Sequence, residues 1–190
     1  MDRISLLPAS GAPRAPEWEV VRWFGPAASV EDLAGKVIVL HAFQMLCPGC
    51  VLHGLPQAAN VRRAFDSADV AVVGLHSVFE HHEAMTPTSL AAFLHEFRVP
   101  FPVAVDAHAE GSALPITMSR YELRGTPSLV LIDRRGRLRA NVFGRPADLA
   151  VGAAIATLIA ESAVHAEVAT PAGPTESTPA NCDDVGCPVP

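Results

Sequence analysis

With 190 residues, 49% of them hydrophobic, the chain is long enough for one domain with a core of its own plus tails. A net charge of −6 speaks against a nucleic-acid partner, which rewards basic patches. Neither Met1–Pro16 nor the run Leu149–Ala160 is apolar for long enough to serve as a secretory signal or a bilayer span, so the expected setting is the cytoplasm, with no membrane partner.

In chain order, residues 1–16 carry Pro8, Gly11, Pro13 and Pro16 and read as a flexible N-terminal arm. Residues 17–165 read as the folded domain. Glu17–Phe24 suits an edge strand, and Val30–Gly35 a turn. Val37–Phe43 is a β-branched apolar run of the kind that fills a buried parallel strand. Pro48 to about Phe65 is helical in pattern, with a break expected at Pro56, because proline removes a helix hydrogen bond. Val70–Leu75 is a second buried strand, followed by a polar loop, His76–Met85. Thr86-Pro87 opens a helix that runs to Phe97, with proline in its first turn. Phe93, Leu94 and Phe97 are assigned to the core, and His95 and Glu96 to a solvated face. Phe101–Val105 is a short strand and Leu114–Tyr121 a short helix. Ser128–Asp133 and Leu138–Phe143 form a hairpin about the charged turn Arg134-Arg135-Gly136. Pro146–Val164 is the last helix. Residues 166–190, rich in Pro, Thr and Ala, read as a disordered tail carrying a cysteine pair. Strands alternating with helices give an α/β domain.

The cysteines fall in two close pairs, Cys47/Cys50 and Cys182/Cys187. In a reducing compartment such pairs are redox or metal sites rather than a structural framework. Cys47-Pro48-Gly49-Cys50 follows a buried strand and opens a helix. Cys47 then sits at the helix N-terminus, where free N–H groups and the macrodipole favour the thiolate nucleophile. Pro48 suits the first helical position. Cys50 lies one turn on, on the same face, where it can resolve a mixed disulfide. Zinc also uses this spacing, but needs two more ligands, and the tail pair is spaced differently. His76, His81, His82 and Glu83 are potential metal ligands in type, yet they match no ligand spacing, so no metal is assigned. Their loop follows a strand of the sheet and is placed at the entrance to the site. A second signal is Gly125-Thr126-Pro127, just before a strand, where an X–Pro bond can be cis.

The run Ile38–Cys50 and the run Arg124–Asp133 together resemble the active-site stretches of thioredoxin-fold proteins, in the TlpA/ResA-like branch related to the AhpC/TSA redoxins. The segment between Pro87 and Val105 is similar to that branch's central insertion, and the resemblance covers about Leu33 to Leu158. It implies a thioredoxin-like fold with a central mixed sheet flanked by helices. It implies a cis Pro127 facing the disulfide and a Thr126 that offers its backbone to a substrate chain, with Pro48 and Gly49 completing the substrate-binding set. The chain departs from the family where Pro-Gly replaces Gly-Pro between the cysteines and Leu46 stands where tryptophan is usual. Gln44 occupies the position where peroxiredoxins carry threonine.

The expected activity is thiol–disulfide exchange with protein or low-molecular-weight thiol and disulfide substrates. An upstream thiol system supplies electrons, and the only redox group is the Cys47–Cys50 disulfide itself, with no bound cofactor. One alternative is a peroxide-reducing antioxidant redoxin, with Cys47 oxidised to sulfenic acid and Cys50 condensing with it. Another is a Cys/His metal carrier. His41, six residues before Cys47, stands where thioredoxins place a buried aspartate that exchanges protons with the second cysteine; it is either that proton carrier or a core histidine. Cys182 and Cys187 are either a local disulfide or a tethered accessory dithiol that exchanges with Cys47–Cys50, slowed by Asp183 and Asp184.

Overall fold

The apolar run Val37–Phe43 becomes a strand with all seven residues buried, and the sheet grows outward from it. The computed structural model describes residues 3–167, with side chains as far as Glu161. Its elements are β1 (Val20–Phe24), β2 (Val37–Phe43), α1 (Leu55–Ala64), β3 (Val70–His76), α2 (Pro87–Glu96), β4 (Val103–Asp106), α3 (Ile116–Arg120), β5 (Ser128–Ile132), β6 (Leu138–Phe143) and α4 (Asp148–Glu167). The six strands lie in the order β1-β4-β3-β2-β5-β6. β2 and β3 are parallel, as are β3 and β4, whereas β1, β5 and β6 join antiparallel. This is the thioredoxin-like mixed sheet that the resemblance implies.

Alternation along β2 divides the core in two. Val37, Val39 and Phe43 face α1, α2 and α4, meeting Leu55, Ala58, Leu90, Val151 and Ile155. Ile38, Leu40 and Ala42 face the other layer, with Met118, Tyr121 and Leu123. Thr86 caps α2 by accepting the Ser89 N–H at 3.2 Å, with Pro87 behind it in the first turn. At the end of β4, Asp106 accepts the Thr117 and Met118 N–H groups and the Ser77 hydroxyl, each at 2.9 Å, which ties α3 to the sheet. Burial raises its carboxyl pKa, and these hydrogen bonds oppose the shift.

Four expectations need correction. Residues 3–16 are not a loose arm but lie along the β5–β6 hairpin. Leu7 N–H donates to Arg139 O at 2.8 Å, Leu138 N–H donates to Pro13 O and Ala15 N–H to Gly136 O, both at 2.9 Å. Proline and glycine kept the segment out of helices and strands without freeing it. No break occurs at Pro56. Helical backbone begins at Pro48, widens into a π-helical turn over Cys50–Gly54 and continues as α1. The Leu55 N–H donates to Cys50 O, a π-type bond, and the wider turn accommodates the proline that α geometry would exclude. Phe97, assigned to the core, is 58% exposed, stacked on Phe93 beyond the end of α2. The last helix runs to Glu167, past its expected end at Val164 and the expected domain boundary at 165.

Arg139 is the anchor of the arm. Its buried guanidinium forms a two-pronged pair with Glu161, reaches Asp133 at 3.3 Å, and donates through Nε to Leu7 O at 2.6 Å. Replacing it leaves the buried Asp133 carboxylate without its cation, held only by the Arg135 and Arg137 N–H groups, and loosens the arm. Arg139→Ala is expected to cost about 3 kcal/mol or more in urea denaturation. Trypsin cleavage at Arg14 should accelerate in parallel, and a stability within error of the parent would refute this role.

Candidate active site

The chain leaves β2 through a tight turn in which Cys47 N–H donates to Gln44 O at 3.1 Å. Pro48 then starts the helix, where a missing N–H costs nothing. This places Cys47 at the carboxyl end of the central strands, with Cys50 one turn deeper. Both thiols are free. Cys47 is partly exposed, and its sulfur lies between two backbone groups. It accepts the Cys50 N–H at 3.3 Å and donates to Thr126 O at 3.6 Å. Cys50 is 0% exposed. Burial, reinforced by its hydrogen bond with Cys47, pushes its thiol up to about 12.

Pro127 closes the site from the side of β5. The Thr126–Pro127 peptide is cis. Its ring packs on Gly49, where a Cβ would lie 3.4 Å from Pro127 Cδ. Cys47, Cys50, Gly49, Thr126 and Pro127 are therefore brought together, while Pro48 is exposed at the rim.

His41 lies beneath the helix. A Cβ on Gly54 would fall 2.5 Å from its Cε1, 2.6 Å from its Nε2 and 3.1 Å from Pro127 Cβ, so Gly54 is required for this close approach. The ring is buried, its Nε2 has no hydrogen-bond partner among the described residues, and burial lowers its pKa to about 4. On the other side of Phe43, the buried His76 accepts the Met45 N–H at 3.3 Å, and burial lowers its pKa to about 4 as well. His76 is thus the last residue of β3 and a support for the active-site turn, not part of a polar loop. Gln44 adds a second support. Its amide accepts the Phe79 N–H at 3.1 Å and donates to Glu80 at 3.2 Å, which holds the 77–80 loop beside the entrance. Among the described residues, no group of three or more His, Cys, Asp or Glu is placed to hold a metal ion. His82 instead lies edge-on to His108.

Sequence reasoning missed the supporting roles of His76, Gln44 and Gly54, and also Phe143. The Phe143 ring lies over Gly125, with Cε2 2.8 Å from where a Cβ would stand, and Arg124 lies above it at 5.7 Å. No local pattern marks these residues; they meet only through tertiary packing. Cys182 and Cys187 lie outside the described residues.

Two buried neutral imidazoles make stability depend on pH. The unfolded chain binds protons near pH 6.5, the folded one only near 4. Stability is therefore complete above about 6.5 and falls as pH drops towards 4, by roughly 3 kcal/mol per imidazole. The raised Asp106 carboxyl acts in the opposite sense. It is common to parent and variant, so it cancels in a comparison. His41→Leu should show a shallower loss of urea midpoint between pH 6.5 and 4 than the parent, and parallel curves would refute this account.

Comparisons with known proteins agree with this geometry. A solved thioredoxin-like superfamily protein is 59% identical, with a TM-score of 0.75 over 77% of this chain and 96% of that one. A thiol-disulfide isomerase from Corynebacterium glutamicum is 50% identical, with a TM-score of 0.76 over 79% of this chain and 97% of that one. StoA of Bacillus subtilis, 20% identical with a TM-score of 0.54, covering 68% of this chain and 93% of its own, shares the fold. NHL repeat-containing protein 2 of Gallus gallus is 29% identical over 63% of this chain, which spans only 16% of that protein's length. Among the described residues no helix is long and apolar enough to cross a membrane. The AhpC/TSA family profile matches residues 12–141, more than half of the sequence, and the chain belongs to that family, as a thioredoxin-like redox protein.

Proposed function

We propose that the protein is a thiol–disulfide oxidoreductase in which Cys47 is the nucleophile and Cys50 the resolving thiol. One observation carries the reading: the Cys47 sulfur is reachable, lies against Thr126 O, and has a fully buried thiol one turn behind it. The Cys47 thiolate attacks a substrate disulfide, forming a mixed disulfide and releasing one substrate thiolate. Cys50 then loses its proton and attacks Cys47 Sγ, closing the Cys47–Cys50 disulfide and releasing the second substrate thiol. Two electrons pass to the substrate, and an external thiol reductant restores the dithiol. A substrate chain lies across Thr126, Pro127, Pro48 and Gly49. The relative from Corynebacterium glutamicum, itself named a thiol-disulfide isomerase, supports this reading. A reducing compartment such as the cytoplasm suits the reductase direction.

The peroxide-reducing alternative rests on the family match. Gln44, where peroxiredoxins carry threonine, has its amide engaged by Phe79 and Glu80, not by Cys47.

Cys47→Ser should abolish insulin-disulfide reduction by a dithiol reductant, whereas Cys50→Ser should accumulate a stable mixed disulfide with substrate. Limiting iodoacetamide should label Cys47 before Cys50, because Cys50 is buried and its thiol holds its proton. Labelling in the reverse order would overturn the roles. Faster consumption of hydrogen peroxide than of protein disulfides would favour the alternative.

His41 is proposed as acceptor of the Cys50 proton. Support comes from its position against Gly54, four residues beyond Cys50 on the same helix, and from its unpartnered Nε2. An imidazole held near 4 keeps its lone pair free at neutral pH and takes the proton only as the sulfur–sulfur bond forms. His41→Ala should slow resolution of the mixed disulfide on the order of tenfold or more and change its pH profile. An unaltered rate from about pH 6 to 8 in a folded variant would leave His41 as a core residue only.

A further inference from the structure

The tail dithiol Cys182/Cys187 is unused by the chemistry above, and the rim of the active site has a matching surface. Arg124 is exposed and, among the described residues, makes no ion pair; its guanidinium lies over Phe143. Phe143 is 47% exposed and walls Gly125, the residue before Thr126. Leu46, next to Cys47 in the chain, is 54% exposed. The rim thus offers one unpaired cation and two apolar surfaces within a few residues of the reactive sulfur.

We infer that this rim takes the segment Cys182-Asp183-Asp184-Val185-Gly186-Cys187 of the same chain, so that the tail dithiol exchanges directly with Cys47–Cys50. The inference rests on the oxidoreductase reading of that pair. The match is chemical: Asp183 and Asp184 pair with Arg124, Val185 packs on Phe143, and a flanking thiol meets Cys47. Two carboxylates beside a thiol slow its ionisation, and Arg124 offsets them in the docked arrangement.

In the exchange, one tail thiolate attacks Cys47 Sγ of the Cys47–Cys50 disulfide, and Cys50 leaves as a thiolate. The second tail thiolate attacks the first tail sulfur, a Cys182–Cys187 disulfide forms, and Cys47 leaves as a thiolate. Two electrons pass from the tail to the active site, and the two protons of the tail thiols go to solvent and to the departing sulfurs. An external thiol reductant then reduces the tail disulfide.

Chain length permits this. α4 starts beside the site, where Gly144 N–H donates to Pro127 O at 2.8 Å, and its twenty residues carry the chain about 30 Å away. The roughly 15 residues from Glu167 to Cys182 extend to about 50 Å, enough to return. Tethering then gives an effective concentration on the order of millimolar.

The test uses the full chain with Cys50→Ser, oxidised with diamide at low protein concentration, digested and mapped for disulfides. A Cys47–Cys182 or Cys47–Cys187 bond within a monomer is expected. Adding Arg124→Glu should lower its yield about fivefold, and Arg124→Lys should restore it. Exclusive Cys182–Cys187 pairing, tail bonds to Cys47 only between chains, or a yield indifferent to Arg124→Glu would each overturn the inference. Insulin reduction by the unmodified chain is scored separately. If it persists without tail capture, this inference falls and the oxidoreductase reading stands; if it is absent, the reading beneath both has failed.

Discussion

The active-site helix can lie directly on the sheet only because Gly54 has no side chain. A Cβ at Gly54 would overlap the His41 imidazole and crowd Pro127. With a hydrogen in that place, the helix settles until Cys50 is sealed from solvent and the Cys47 sulfur meets Thr126 O. The π-helical turn belongs to the same constraint. It widens the helix over Cys50–Gly54, so that Pro56 can follow without ending it.

The placement of the Cys47/Cys50 pair was legible because its signals are local. A buried strand, two cysteines three apart and a proline at the helix start need no tertiary knowledge, and neither does the Thr-Pro step before β5. The strands themselves were legible from unbroken apolar runs such as Val37–Phe43 and Val70–Leu75. What stayed hidden was set by distant partners. The arm is ordered by Arg139, more than a hundred residues downstream, and nothing in its own composition reveals that guanidinium. His76 became a buried acceptor because the Met45 N–H emerges from β2 beside it. Phe143 reached Gly125 through the pairing of Ser128 with Phe143 across β5 and β6. Phe97 misled because helical spacing cannot say where α2 leaves the core.

The supports of the site share a design: each holds backbone, not sulfur. Gln44 binds the turn to the 77–80 loop, His76 takes the Met45 N–H, and Asp106 gathers Ser77 with the start of α3. Their effect on Cys47 is geometric. The turn and the cis-proline segment are fixed on separate strands, β2 and β5, which are adjacent and antiparallel. Because those strands are the buried centre of the sheet, the distance between Cys47 and Thr126 is set by the part of the molecule least able to move.

The same burial creates an asymmetry that the chemistry has to resolve. On the proposed roles, Cys47 is accessible to meet a substrate, and Cys50 is hidden so that it attacks only a sulfur already bound to Cys47. Hiding it pushes its thiol up to about 12, which suppresses the thiolate that resolution requires. A base in the same low-dielectric layer is the economical answer, and burial holds the nearby His41 neutral, with a free ring nitrogen. A carboxylate at that position would arrive charged or protonated according to its burial. An imidazole arrives neutral, and gains its charge only while the thiol loses its proton. On the proposed roles, the buried proton moves only in the step in which Cys50 attacks the mixed disulfide, so the buried pair stays inert until Cys47 has captured a partner.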